Sequence, residues 1–145
     1  MENNENDVFI SYNSNNYNAV NALYCRASGL KKIKIWMNLE AKSNEIIDAI
    51  HNTKIFLCCL SKGYDDQDSS SFKEFKLALS LNKPIIYIFF ESIESRNVLD
   101  EYPGLGMNLS KHVYYEYYSP DMQVRTEQIH KILFAIGTAI GRKLF

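Results

Sequence analysis

Cysteine is scarce in this chain. The three residues, Cys25, Cys58 and Cys59, form no C-x-x-C pair and no even framework, which excludes a disulfide scaffold and a zinc ribbon. Such usage fits a reducing compartment, and a cytoplasmic location is the expectation. Glycine and proline are few, six and three. The segment after the first apolar run, Ser11-Tyr12-Asn13-Ser14-Asn15-Asn16, has no glycine at all. A Rossmann fingerprint and a P-loop are excluded, because both need glycine so that backbone can approach phosphate. Neither sign of charge dominates: 16 basic against 17 acidic residues give a formal net charge of −1. That leaves no electrostatic case for nucleic acid or an anionic membrane surface. No apolar run approaches the roughly 18 residues of a membrane helix. Met1 to Asn6 is acidic and amide-rich, the opposite of a secretory n-region. Residues 1–6 read as a disordered tail and 7–145 as one domain, with no membrane association of its own.

Metal and triad chemistry fail on residue type. His51, His112 and His130 are far apart and adjoin no cysteine or carboxylate at ligand spacing. Asp66, Asp68 and Ser70 resemble the start of a calcium loop, but Gly is missing at its sixth position and the bidentate Glu at its twelfth, where Leu77 stands. A phospho-accepting receiver needs Asp where the third apolar run ends in Leu60-Ser61. No metal and no bound cofactor is expected.

Apolar runs alternate with helical spacing, which predicts a parallel sheet covered by helices. Strands are expected at Asp7–Tyr12, Lys32–Met37, Lys54–Leu60, Ile85–Phe90 and His112–Tyr117. A first helix carries Tyr17, Val20, Leu23, Tyr24 and Ala27, with Gly29 at its C′ position. A short second helix presents Ile46, Ile47 and Ile50. A third runs from Ser71 to about Leu81, with Phe75, Ala78 and Leu79 toward the sheet. The last, from about Gln123, aligns Ile129, Ile132, Leu133, Ile136 and Ile140. Glu91 to Ser110 is a long connection. Phe9, Ile35, Phe56, Leu57, Ile86 and Ile88 are expected to be buried, as in strands covered on both faces.

The most informative stretch is the third strand with its loop and helix, Ile55 to Glu74. Ligands of open α/β sheets bind beyond the carboxyl ends of the strands, and Glu74 lies on the first turn of a helix that starts there. Two readings of Glu74 stand side by side. Ser71-Phe72-Lys73-Glu74 matches the S-x-x-E capping box, in which the glutamate bonds the amide of the cap residue. Alternatively the carboxylate serves chemistry in the crevice.

Three segments resemble, in order, the boxes of Toll/interleukin-1 receptor (TIR) domains. Asp7-Val8-Phe9-Ile10-Ser11-Tyr12 is similar to the opening box. Ile35-Trp36-Met37-Asn38-Leu39-Glu40 is similar to the second. Ile55 to Ser61, with Tyr64, Glu74, Ala78 and Lys83-Pro84-Ile85-Ile86, resembles the third strand, helix αC and fourth strand. The likeness spans Asp7 to the last helix and is strongest toward stand-alone, NAD-consuming members. It implies a flavodoxin-like five-stranded parallel sheet in order 2-1-3-4-5 with helices on both faces. It implies an NAD⁺ glycohydrolase or cyclase acting in immune or cell-death signalling, or, alternatively, a non-enzymatic module that assembles with other TIR domains. The glutamate essential in enzymatic members falls on Glu74. The cleft is implied to include Ser11, Tyr12 and Asn13 after the first strand and Asn38 to Ser43 after the second. Ser70 and Ser71 occupy positions where relatives often carry Trp and Cys, and Asn38 replaces a common acidic residue. Trp36, Tyr12 and Tyr64 are the aromatics available in place of the missing tryptophan. Expected partners are NAD⁺, as substrate, and further TIR domains.

Overall fold

The computed structural model describes residues 5–30, 32–37, 43–92, 102–105 and 114–144. Its strands are β1 (Asn6–Tyr12), β2 (Ile35–Met37), β3 (Thr53–Leu60), β4 (Ile85–Phe89) and β5 (Tyr114–Glu116). The α-helices among the described residues are α1 (Tyr17–Ser28), α2 (Ser43–His51), α3 (Ser70–Ser80) and α4 (Met122–Ile140), with 3-10 turns at Ser14–Asn16 and Pro103–Leu105. The strands form one sheet in the order β2-β1-β3-β4-β5, and every pairing is parallel.

Each face of the sheet is covered, so the central strands are apolar along their whole length. Val8, Ile10, Ile55, Leu57 and Ile88 face α1 and α4, meeting Val20, Leu23, Ile132 and Ile136. Phe9, Phe56, Leu60, Tyr87 and Phe89 face α2 and α3, meeting Ile50, Phe75 and Ala78. In register, Phe9 lies between Trp36 and Phe56. Its ring stacks on both, with centroids 4.9 and 5.5 Å away.

Departures from the sequence reading have local causes. β2 is shorter than Lys32–Met37 because the Lys34 amide donates to the Asp7 carboxylate at 2.8 Å instead of entering a ladder. Phe9, Phe56, Leu57 and Ile88 are buried, but Ile35 and Ile86 are only half-buried. Ile35 sits on an edge strand, and the β4–β5 register begins one residue beyond Ile86. Ile47 is 46% exposed, so the inner face of α2 is carried by Ile46, Ala49 and Ile50. Gly29 ends α1 at φ −61°, in ordinary right-handed space. A left-handed glycine closes α4 instead, Gly141 at φ 71°. β1 starts at Asn6, and β5 at Tyr114; His112, the Asn38–Lys42 segment and most of the Glu91–Ser110 connection lie outside the described residues.

Candidate functional site

β1 and β3 are neighbours, yet the helices that follow them cover opposite faces, α1 one and α3 the other. This is the topological switch point of the sheet, where a crevice opens beyond the carboxyl ends of the strands. Ser11, one residue before the end of β1, lies on the α3 side in line with Phe9 and is fully buried. Glu74, on α3, reaches across to it: Glu74 Oε1 accepts from Ser11 Oγ at 2.8 Å.

The capping box does not form. α3 begins at Ser70 and its N-cap is Ser69, whose Oγ accepts from the Phe72 amide at 3.2 Å. Ser71 is buried and donates its hydroxyl to the Tyr64 carbonyl at 2.7 Å. Glu74 is therefore not a helix cap. The pattern contains three consecutive serines, and any of them reads as a cap from sequence. The Tyr64 carbonyl accepts from both Ser69 Oγ and Ser71 Oγ, at 2.9 and 2.7 Å, and of the two it is Ser69 that also accepts from a helix amide.

Burial pushes the Glu74 carboxyl up, to about 7, with the Ser11 hydrogen bond opposing it. Asp7, the other buried acid among the described residues, behaves differently. It sits at the opposite edge of the sheet, paired with Arg142 at 2.7 Å and Lys54 at 3.2 Å. Burial raises its carboxyl too, but Arg142, the Lys34 amide and Lys54 outweigh that and hold it below the ordinary value. Among the described residues no cation forms a salt bridge with Glu74. A buried carboxyl with its ionisation unpaid by a counter-charge, at a crevice, is a mark of a functional group.

Tyr64 is completely buried, and its Oη stands 2.7 Å from Ser11 Oγ. The turn that seats it uses Gly63 at φ +91°, where a Cβ would meet Asn13 Nδ2 at 3.1 Å. The β1 and β3 loops thus pack directly together at the crevice. Asn13 itself caps the adjoining 3-10 turn, accepting from the Asn15 amide at 3.0 Å.

The structure brings Ser11, Tyr64, Ser71 and Glu74 into one hydrogen-bonded cluster, with Asn13 at its rim. Tyr12, Trp36 and Ser70 do not join it. Tyr12 turns to the α1 face and packs beside Tyr17. Trp36 stacks on Phe9 and lines a groove with Asn6, Lys34 and Asp48 at the far edge of the sheet. Ser70 is exposed. Asn38 lies outside the described residues. Tyr64 and Ser71, like Ser11, are buried within the cluster. Beside the cluster, a cavity of about 850 Å³ lies between the β3–α3 loop and the end of β4, lined by Lys62, Gly63, Asp65, Phe72, Glu91 and Tyr102 among others. It does not include Glu74. Sequence reasoning missed Asp65, whose carboxylate accepts from the Gly104 amide at 2.8 Å and closes that wall; no local pattern announces a contact between residues 39 apart. No group of metal-ligating side chains occurs among the described residues, and no described helix is long and apolar enough to cross a membrane.

The TIR domain family matches residues 8–132 of the chain. The chain belongs to the TIR domain family. Among solved structures, this TIR domain is similar to the RPS4 and RRS1 TIR domain heterodimer, at 14% identity and a TM-score of 0.67, covering 94% of this chain and 99% of that one. It is similar to the TIR domains of the activated Roq1 resistosome that recognises the pathogen effector XopQ, at 17% identity and TM-score 0.52, covering 94% and 84%. A flavodoxin-like domain from Synechococcus sp. also matches, at 15% identity and TM-score 0.54, over 93% and 96%. At these identities the likeness concerns the fold. No curated protein matches.

Proposed function

We propose that this TIR domain breaks the nicotinamide–ribose bond of NAD⁺, with Glu74 as the catalytic carboxylate. The observation that supports this most is the placement of Glu74: freed from capping, buried, without a cation partner among the described residues, and directed at the end of β1. Nicotinamide leaves as a neutral base when the C1′–N bond breaks, because the bonding pair cancels the positive charge of its ring. No general acid is needed. The barrier is set by the oxocarbenium-like charge left on the ribose, as in glycoside hydrolysis. A fixed carboxylate in a site poor in water stabilises that charge without reorganisation. Water then adds at C1′ and gives up a proton, forming ADP-ribose, or a nucleophile within the same molecule adds to form a cyclic product. Ser11 holds the carboxylate in place for either outcome.

The test is NAD⁺ consumption at high protein concentration by wild type and Glu74→Gln. Gln keeps shape and removes charge, so turnover is expected to fall at least about a hundredfold. In the wild type, kcat/KM is expected to rise with pH through about 7, since the ionised form is required. Equal activity of the two proteins sinks the assignment. A second reading is favoured by the company of the fold: two of the similar structures are TIR domains in a heterodimer and in a resistosome. On that reading the domain works by pairing with other TIR domains, and the wild type shows no turnover at any concentration.

A further inference from the structure

We propose that Tyr64 is a positioning residue that orients the Ser11 hydroxyl toward Glu74, so that a buried relay, and not Ser11 alone, sets the ionisation of the carboxylate. The inference rests on the catalytic reading of Glu74 for its meaning, but on hydrogen-bond geometry for its substance. Ser11 has one hydroxyl proton. Its Oγ lies 2.8 Å from Glu74 Oε1 and 2.7 Å from Tyr64 Oη. A carboxylate only accepts, so the serine proton goes to Glu74 and the phenol must donate to Ser11. Donors therefore point one way, Tyr64 to Ser11 to Glu74, and each bond polarises the next.

The backbone fixes this relay as firmly as the side chains do. The Tyr64 carbonyl accepts from Ser69 Oγ at 2.9 Å and Ser71 Oγ at 2.7 Å. Both serines belong to the start of α3, the helix that carries Glu74 one turn later. Both ends of the relay are thus tied to the start of α3, Tyr64 through its carbonyl and Glu74 directly, and Ser11 on β1 lies between them. The groups that act on Glu74 are Ser11, Cys58 and Tyr64 on its own side of the sheet and Tyr12, through space, from the α1 side. Tyr64 and Cys58 are wholly buried and their protons are held well above neutral pH by that burial. None of these four is charged near pH 7, so movement of the Glu74 midpoint reports hydrogen bonding and not a neighbour's titration.

The experiment is a carbon-13 carboxyl NMR titration of Glu74 in the full chain, without substrate, for wild type, Tyr64→Phe, Ser11→Ala and the double variant. Ser11→Ala is expected to raise the midpoint by about one to two pH units, because a buried carboxylate loses its donor. Tyr64→Phe, which keeps the ring and removes the donor, is expected to raise it by roughly half a unit. The double variant is expected to match Ser11→Ala alone, since Tyr64 acts only through Ser11. A midpoint unmoved by Tyr64→Phe overturns the proposal, as does a further shift from Tyr64→Phe in the Ser11→Ala background. Should Tyr64→Phe fail to fold, 3-fluorotyrosine placed at position 64 serves instead: its stronger donor should lower the midpoint, and no shift refutes the relay. The pH profile of NAD⁺ consumption is measured in parallel. Midpoints that move as expected while the wild type shows no turnover support the relay and sink the catalytic reading.

Discussion

Replacing Glu74 by Gln is expected to make the protein more stable, and only above mildly acidic pH. Burial raises the Glu74 carboxyl from its ordinary 4.5 to about 7 in the folded protein. The folded state therefore holds a proton more tightly than the unfolded chain does. Stability linked to that proton is fully present below about 4.5 and is lost as pH rises through about 7. A displacement of that size, at 1.36 kcal/mol for each unit, corresponds to about 3 kcal/mol of stability lost by pH 8. Gln mimics the protonated acid in shape, still accepts from Ser11, and does not titrate. Wild type and Glu74→Gln should therefore melt together near pH 4, and separate steadily above it. Taking roughly 3 °C for each kcal/mol in a domain of this size, the variant should melt about 9 °C higher at pH 8. The assay is thermal unfolding of both proteins by circular dichroism at half-unit steps of pH. Melting curves that stay a constant distance apart from pH 4 to 8 would refute the reasoning, because they would mean that Glu74 ionises in the folded protein as freely as in the unfolded chain.

Asp7 is expected to show the opposite sign. Asp7→Asn should destabilise the protein by about 1–3 kcal/mol at pH 7 through its lost charged hydrogen bonds, and the deficit should shrink as pH falls below 4, since the lowered Asp7 carboxyl contributes only while ionised; urea unfolding at both pH values checks it. Gly137→Ala places a methyl 2.6 Å from the Arg142 carbonyl and 3.3 Å from Leu144, and should cost about 1–3 kcal/mol by overpacking, read as a lower urea midpoint with an unchanged slope. Sedimentation should show a concentration-dependent oligomer held by a small interface; a strict monomer with and without NAD⁺ would count against pairing as the mode of action.

Much of the architecture was legible because its signals are local. The apolar runs at Val8–Ile10 and Ile55–Leu60 carry strand identity in themselves, and alternation with helical spacing implies parallel connections. Glu74 could be singled out from its position after the third strand. Its role as cap or crevice group could not, since that depends on which of three serines accepts the first helix amide, and Ser69 does. The same holds for Lys34, whose amide is diverted to Asp7, and for Trp36, which the register sets against Phe9 and away from the crevice. The outcomes at Lys34 and Trp36 are fixed by partners on β1 that are distant in sequence, and local pattern carries no trace of them.

The clasp of Asp7 by Arg142 and Lys54 has a consequence for how this domain can be built into larger molecules. It fastens the first strand to the segment after the last helix, at the edge where the strands begin. Asp7 and Arg142 meet at the side of the sheet opposite Ser11 and Glu74, with their side chains 2.7 Å apart. A permuted chain joined across this clasp and opened at the exposed loop around Asp68 is therefore expected to keep the sheet and the crevice intact.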